Sequence, residues 1–187
     1  MITDEQKEHR RFRIGSSDAP TILGVNKYQT VDELLKRKSG ILPDLVKNKA
    51  MLRGTYLEEP IARYITDTTD YKLHEIDTVI HKQYDFIVAN IDRVVFADGI
   101  QIPVEIKCPS SRTAASYMNN TPEMYIIQVM HQIMCMDAPY GYILVFDADK
   151  WDYRISTIPR NDELISVMVE AEIGFYNKLT DMIKETI

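Results

Sequence analysis

The chain has 187 residues and 45% hydrophobic content, which is ordinary for a globular protein with one sizeable core. It contains no apolar run of the roughly 18 residues that would span a membrane, and its polar start lacks the apolar centre of a secretory signal. Its two cysteines, Cys108 and Cys135, have neither CxxC nor metal-site spacing. We therefore expect a cytoplasmic protein, not bound to a membrane, with two reduced and buried thiols.

The net charge of −6 argues against a protein that binds nucleic acid merely by being basic. The charges are unevenly distributed, because residues 1–53 carry 11 Lys and Arg against 7 Asp and Glu, whereas residues 54–187 carry 11 against 21. This division indicates a polarised surface. The alternative interpretation is that the basic side chains of the first part only form solvated faces.

The first half of the chain contains helix signals followed by strand signals. Two short helices and a longer one are predicted, at residues 17–23, 30–38 and 52–65. Thr30 is the expected cap of the second helix, and Pro60 is expected in the first turn of the third, where a missing amide donor costs least. Alternating segments rich in β-branched residues then predict three strands of a meander, at residues 72–80, 85–95 and 100–107.

The second half continues with a helix from its cap Thr121 to about Met136. Two strands, at residues 140–146 and 151–158, are predicted to form a hairpin, and Asn161 can cap a last amphipathic helix. Strands that lie between helices predict a mixed α/β architecture with a sheet covered on both faces. No repeat or linker divides the chain, so we expect one domain.

The predicted hairpin around Asp98 and Gly99 carries the residues with the clearest chemistry. The two-residue period of a strand places Glu105 and Lys107 on one face, and pairing with the preceding strand can bring Asp92 beside Glu105. Two carboxylates suit Mg²⁺, which takes oxygen ligands and leaves positions for water and phosphate. With a nearby ammonium, they suggest a metal-dependent phosphodiesterase site. The alternative is a half-buried hairpin whose charges are only solvated.

Several motifs in chain order extend this interpretation beyond the hairpin. They are Ile14-Gly15-Ser16-Ser17-Asp18-Ala19 after Arg10, Arg53-Gly54-Thr55-Tyr56-Leu57-Glu58, Asn90-Ile91-Asp92, Val104-Glu105-Ile106-Lys107-Cys108-Pro109, and the helix segment from Tyr125 to Gln132. With them, the chain resembles the YqaJ-like viral recombinase and lambda exonuclease family, within the PD-(D/E)XK nuclease superfamily. The resemblance implies a restriction-endonuclease-like core, in which helices flank a mixed central β-sheet. Residues 1–187 would form one nuclease domain, with a basic helical part at 1–53 and the catalytic core and C-terminal helix at 54–187.

The resemblance also implies a two-metal active site that uses Mg²⁺, for which Mn²⁺ is a possible substitute. Asp92 and Glu105 would be carboxylate ligands, and the Ile106 carbonyl would be a backbone ligand. Lys107 would activate the attacking water.

Two further residues match positions around this site. Glu58 matches a helix glutamate that acts on the metal directly or indirectly, although the adjacent Glu59 can be confused with it. Gln128 matches a glutamine placed against the site. Without the motifs, each would be read as a surface residue. His131 and Gln132 belong to the same helix motif and are expected to support packing.

A pocket for a terminal 5′ phosphate is implied by Arg10, Ser17 and Asn90. An arginine supplies a planar donor fork and a serine supplies a hydroxyl donor, and both suit a phosphate monoester. Arg11 or Arg13 takes the place of Arg10 if the alignment slips by a few residues.

The implied activity is a 5′-to-3′ exonuclease on double-stranded DNA ends, which releases 5′-mononucleotides and leaves 3′ overhangs for recombination by single-strand annealing. In the family, subunits form a ring, typically a trimer, and an annealing protein is the expected partner. The 187 residues of this chain are few for the lambda type, and we expect no added domain. The alternatives are a structure-specific or restriction-like endonuclease of the same superfamily and a DNA-end-binding protein without catalysis.

Overall fold

Two sheets and several helices form the part of the chain that a computed structural model describes, residues 11–186, with side chains described as far as residue 185. The named helices are α1 (Ala19–Ile22), α2 (Val31–Lys38), α3 (Lys49–Thr68), α4 (Ser111–Asn119), α5 (Glu123–Met136) and α6 (Asp162–Thr186). The strands are β1 (Ile14–Gly15), β2 (Val79–Ile80), β3 (Ile87–Ala89), β4 (Arg93–Ala97), β5 (Ile100–Lys107), β6 (Tyr140–Asp147) and β7 (Asp152–Pro159). None of these helices is long and apolar enough to cross a bilayer.

The larger sheet has the strand order β4-β5-β6-β7. Its β4/β5 and β6/β7 pairs are antiparallel hairpins, whereas β5 and β6 run parallel. A parallel pair needs a crossover connection, and α4 and α5 provide it. The smaller sheet has the order β1-β3-β2. The mixed α/β architecture predicted from the sequence is therefore confirmed.

Helices cover both faces of the larger sheet. On one face, Ile65 of α3 packs in a cluster with Leu144 of β6, and on the other face Ile133 of α5 packs in a cluster with Val145. Strand side chains alternate between faces, so neighbouring residues of β6 enter different clusters. Gly141 keeps α5 close to the sheet, because an added Cβ would lie 2.6 Å from Cγ1 of Val129.

The predicted meander is wrong, because the segment at 85–95 does not form one strand. β3 pairs with β1 and β2 in the smaller sheet, and β4 pairs with β5 in the larger one. The segment at 72–80 also divides: His74 forms a single bridge to Val94, and only β2 is a regular strand. The chain therefore passes from one sheet to the other through residues 90–92.

Some predicted helices also have different ends. α3 begins after its cap Asn48, so Pro60 lies inside the helix rather than in its first turn. The carbonyl of Tyr56 loses its usual amide donor, but Tyr56 is 75% exposed, so water can replace that donor. The cap of α5 is Pro122 rather than Thr121. By contrast, the predicted caps Thr30 and Asn161 accept hydrogen bonds from Glu33 N–H and Leu164 N–H, respectively.

Candidate active site

The break between β3 and β4 places Asp92 beside Glu105. β4 pairs with β5 so that Arg93 is opposite Val104, and the preceding residue, Asp92, therefore lies at the level of Glu105. The Asp92 carboxylate accepts a hydrogen bond from the backbone N–H of Ile106, with Oδ2 2.8 Å from the nitrogen. The register of β4 and β5 therefore brings the two carboxylates together, as the predicted site requires.

These two acidic side chains disfavour each other's charged form. Burial raises the pKa of Asp92 well above its usual value, and the neighbouring Glu105 carboxylate raises it further. Lys107 opposes this shift, whereas Glu58 adds to it. Since burial and like charge both disfavour ionisation, the site favours the approach of a cation.

Lys107 lies at the centre of the polar contacts. Its Nζ is 2.5 Å from Oε1 of Glu105 and 3.1 Å from Oε1 of Gln128. Burial by itself would lower the pKa of Lys107, but Glu105 and Asp92 outweigh burial and raise it. In the free protein Lys107 is therefore an ammonium ion, and its side chain is 20% exposed.

Helix α5 holds Glu105 through two glutamines one turn apart. Gln128 Nε2 donates to Oε1 of Glu105 over 2.6 Å, and Gln132 Nε2 donates to Oε2 over 2.5 Å. Gln132 was expected only to support packing, and this expectation is wrong. The sequence indicated this contact through the spacing of Gln128 and Gln132, because residues at i and i+4 share one face of a helix.

His131, the neighbour of Gln132, points away from the carboxylates into the core. Its Nδ1 lies 2.8 Å from Oε1 of Glu172 in α6, and its Nε2 donates to the Val88 carbonyl over 3.0 Å. Both side chains are fully buried. Its role is therefore to join α5, α6 and β3, as the packing interpretation predicted.

Glu58 is held by Arg93, a residue that the sequence reasoning missed. Arg93 Nη1 donates to Oε1 of Glu58 over 2.8 Å, and Nη2 donates to Glu59. Arg93 also donates to the backbone carbonyl of Asp92, and its side chain is only 8% exposed. The signal was its place directly after Asp92, since alternation turns it toward the face covered by α3.

The predicted phosphate pocket is described only in part. Arg10 lies outside the described residues. Ser17 and Asn90 are both exposed, and Asn90 Oδ1 accepts a hydrogen bond from Thr78 over 2.7 Å. The alternative Arg11 is exposed and Arg13 is half-buried.

The donor set around Asp92 suits a hard divalent cation. It contains the buried carboxylate of Glu105 and the half-buried carboxylate of Asp92, next to the backbone of Ile106, whose N–H holds Asp92 in place. Such cations prefer oxygen ligands. In addition, Oε1 of Gln132 is buried without a hydrogen-bond partner. Within residues 11–186 no group of three His, Cys, Asp or Glu side chains is arranged to hold a metal, and Glu58 contacts Arg93 instead. The residues therefore fit Mg²⁺ as a two-carboxylate site.

Comparison with known proteins identifies the family of the chain. The model of the YqaJ-like viral recombinase domain matches residues 5–139. The chain belongs to this family. A YqaJ-family protein of Bacillus subtilis (strain 168), called uncharacterized protein YqaJ, is 32% identical over 183 residues, or 95% of this chain and 56% of that protein. The chain thus spans little more than half the length of this curated relative.

Three of the solved structures similar to this YqaJ-family chain are of exonucleases. An alkaline exonuclease from Laribacter hongkongensis, LHK-Exo, has a TM-score of 0.77 at 25% identity, covering 98% of this chain and 96% of that one. Its complex with dAMP has a TM-score of 0.79 at the same identity and coverage. A phage-related exonuclease from Haemophilus somnus 129PT, with a TM-score of 0.73 and 16% identity, covers 94% of this chain and 96% of that one and shows the fold alone. The predicted family and PD-(D/E)XK fold are therefore confirmed.

Proposed function

We propose that this protein is a Mg²⁺-dependent exonuclease that digests the 5′-ended strand of duplex DNA. It releases 5′-mononucleotides and leaves 3′ overhangs for recombination by single-strand annealing. The observation that carries the proposal is the contact of Lys107 with Glu105 beside Asp92, in a chain of the YqaJ-like viral recombinase family. A binding protein without catalysis would have no need for this costly cluster of buried charges.

The protein residues have distinct parts in this reaction. Lys107 Nζ, partly open to solvent, orients the attacking water and offsets negative charge that develops on the scissile phosphate. Gln128 accepts from Nζ and donates to Glu105, so it fixes the position of the ammonium. Gln132 fixes the second oxygen of Glu105. These hydrogen bonds hold the site in one geometry before DNA arrives.

The metal is assigned to the carboxylate pair. Asp92, Glu105 and the Ile106 carbonyl would hold Mg²⁺, and Glu58 would act on it directly or indirectly. When bound, the ion polarises the phosphate and stabilises charge on the entering and leaving oxygens. Mn²⁺ is proposed as a substitute, because it also accepts carboxylate and carbonyl ligands.

The product and the DNA end provide further support. LHK-Exo was solved with dAMP, a nucleoside 5′-monophosphate of the product class proposed here. We assign the terminal 5′ phosphate to Arg10, Ser17 and Asn90, of which the last two present exposed polar side chains. A trimeric ring and a single-strand annealing protein as partner are part of the same proposal.

The experiment is a time course with linear duplex DNA labelled at either the 5′ or the 3′ end, with covalently closed circular DNA in parallel. Wild-type protein with Mg²⁺ should release 5′-labelled mononucleotide first and leave the circle intact. Lys107→Ala should digest the duplex about 10²- to 10⁴-fold more slowly, because it loses the group that handles the water. Lys150→Ala, which removes a lysine that is 64% exposed, is the matched control.

Three outcomes would contradict parts of the proposal. Equal rates for wild type and Lys107→Ala would remove the assigned site. Cleavage of the closed circle would favour the endonuclease alternative, because an exonuclease needs an end. Binding of duplex ends without any cutting in Mg²⁺ or Mn²⁺ would favour a non-catalytic protein.

A further inference from the structure

A row of tyrosines leads from the catalytic lysine to the protein surface. The ring centroid of Tyr125 is 4.7 Å from Nζ of Lys107. Tyr117 of α4 meets Tyr125 edge to face, with ring centroids 5.5 Å apart. Tyr28 is 70% exposed and lies within electrostatic range of Tyr125. A partly buried ammonium and an open aromatic face therefore both lie near Tyr125.

The pKa of Tyr125 responds to Lys107 and to both other tyrosines. Burial raises the pKa of Tyr125 to about 12, and Lys107 opposes this shift. Tyr117 and Tyr28 also raise it, so both lie within electrostatic range of Tyr125. With so high a pKa, the Tyr125 hydroxyl adds no negative charge that would repel a nucleic acid strand.

Tyr28 is exposed although the backbone around it is fixed. Val25 N–H and Asn26 N–H both donate to the carbonyl of Pro20, and Tyr28 N–H donates to Oδ1 of Asn26 over 2.9 Å. Asn26 Nδ2 donates in turn to Oγ1 of Thr21. An aromatic ring presented on a fixed loop loses little conformational entropy on binding.

Lys27 places a positive charge at the outer end of the row. Its Nζ is 5.0 Å from the ring centroid of Tyr28. Hydrogen bonding to Tyr28 raises the pKa of Lys27, and Tyr117 contributes in the same direction. Aromatic faces beside a cation are what single-stranded nucleic acids bind, because bases stack on the rings and phosphates pair with the charge.

We propose that Tyr28, Tyr117 and Lys27 form a stacking subsite for an unpaired nucleobase of the strand that is cut at Lys107. The subsite rests on the proposed function, since its ligand is the substrate strand of that site. The base must be unpaired, because a base inside a duplex already has neighbours on both faces. The subsite therefore holds the reacting strand after its end has separated from the complement.

The test is equilibrium binding of a short 5′-phosphorylated single strand that carries 2-aminopurine near its 5′ end. Binding is measured by fluorescence at low salt with EDTA, so that no cutting occurs. Wild type should quench the fluorescence, because stacking on an aromatic ring quenches this base. Tyr28→Leu should bind on the order of tenfold more weakly, and Tyr28→Trp should restore binding.

Two controls separate stacking from a general loss of binding. Tyr71→Leu removes another tyrosine, 37% exposed and in contact with Tyr142, and should bind as wild type does. A strand with abasic nucleotides in place of the bases should bind wild type and Tyr28→Leu equally. Because Tyr28 is exposed, its variants should keep the wild-type circular dichroism and melting temperature.

The inference is overturned if wild type shows no base-dependent binding or if Tyr28→Leu binds as tightly as wild type. It is also overturned if Tyr28→Leu weakens binding of the abasic strand as much as binding of the strand that has bases. These results do not depend on catalysis. If wild type digests DNA and Tyr28→Leu binds the strand as tightly as wild type does, the subsite is wrong and the proposed function stands. A protein that stacks the base on Tyr28 but never digests DNA would remove the proposed function and leave a nucleic-acid-binding subsite.

Discussion

At the residue scale, Arg93 organises the edge of the candidate site. Its guanidinium contacts the carboxylates of Glu58 and Glu59 and the backbone carbonyl of Asp92. Burial alone would lower the pKa of Arg93, but hydrogen bonds with Glu59 and Glu58 raise it, so the side chain stays charged. Outer partners of this kind orient the groups that hold a metal, and removing them typically weakens metal affinity or activity 10- to 100-fold.

We therefore predict that Arg93→Leu reduces both Mn²⁺ affinity and Mg²⁺-dependent digestion about 10- to 100-fold, because Glu58 loses the partner that positions it. Calorimetric titration with Mn²⁺ and initial rates over a range of Mg²⁺ concentrations measure the two effects. The matched control is Arg63→Leu on α3, the helix that carries Glu58, where the ion pair with Asp67 is largely exposed. Equal affinity and rate in Arg93→Leu and wild type would show that Arg93 has no part in the site.

At the element scale, a buried pair joins the helix of the site to the C-terminal helix. Burial by itself would lower the pKa of His131, but the Glu172 carboxylate and the Cys135 thiol outweigh burial and raise it well above its usual value. His131 also donates to the Val88 carbonyl, so three elements meet at one imidazole. The register of α5, which carries Gln128 and Gln132, is fixed at this point.

The stability of the protein should consequently depend on pH through His131. Because the pKa of His131 is higher in the folded than in the unfolded protein, binding of its proton stabilises the folded state. This stabilisation is complete below about pH 6.5 and is lost as the pH rises through the folded-state pKa. We predict that Glu172→Gln lowers the free energy of unfolding by about 1.5–3 kcal/mol near pH 6, and by less at alkaline pH. Urea unfolding across this range measures the difference.

The control for this pair is Asp137→Asn, which removes an exposed partner of Lys82 and should change stability little. The prediction is contradicted if the free energy of unfolding has the same flat pH dependence in wild type and in Glu172→Gln. His131 would then not bind its extra proton in the folded protein.

At the scale of the whole molecule, Asp92 and Glu105 place two acidic groups close together. Burial and the neighbouring Glu105 carboxylate both disfavour ionisation of Asp92, and Lys107 offsets this only in part. Function of this kind opposes stability, because the site keeps a repulsion that a bound cation would relieve.

Mg²⁺ should therefore stabilise the folded protein. At a concentration one hundred times Kd, it should add about 2.7 kcal/mol, which for a domain of this size raises Tm by roughly 5–10 °C. Thermal melts with and without Mg²⁺ measure the shift. Asp92→Asn should lose the shift and Asp137→Asn should keep it, whereas an equal shift in both variants would place the ion elsewhere.

Much of this molecule could be predicted from its sequence because local signals and final contacts agree. The alternation that places Glu105 and Lys107 on one face survives in β5, and the caps Thr30 and Asn161 act as expected. The meander failed because alternation predicts an extended segment but not its partner. Helix α4 was not predicted, and only Ala114 of it is buried.

The sequence by itself determined the types of residue at the site, their order along the chain and the family to which they belong. The tertiary structure alone decided that Arg93 holds Glu58, that Gln132 contacts Glu105, and that the ring of Tyr125 lies beside Lys107. The physical reason is that periodicity fixes which face of one element a side chain occupies. The partner across that face depends on which strands pair and which helices cover them, and this is settled only when the whole core packs.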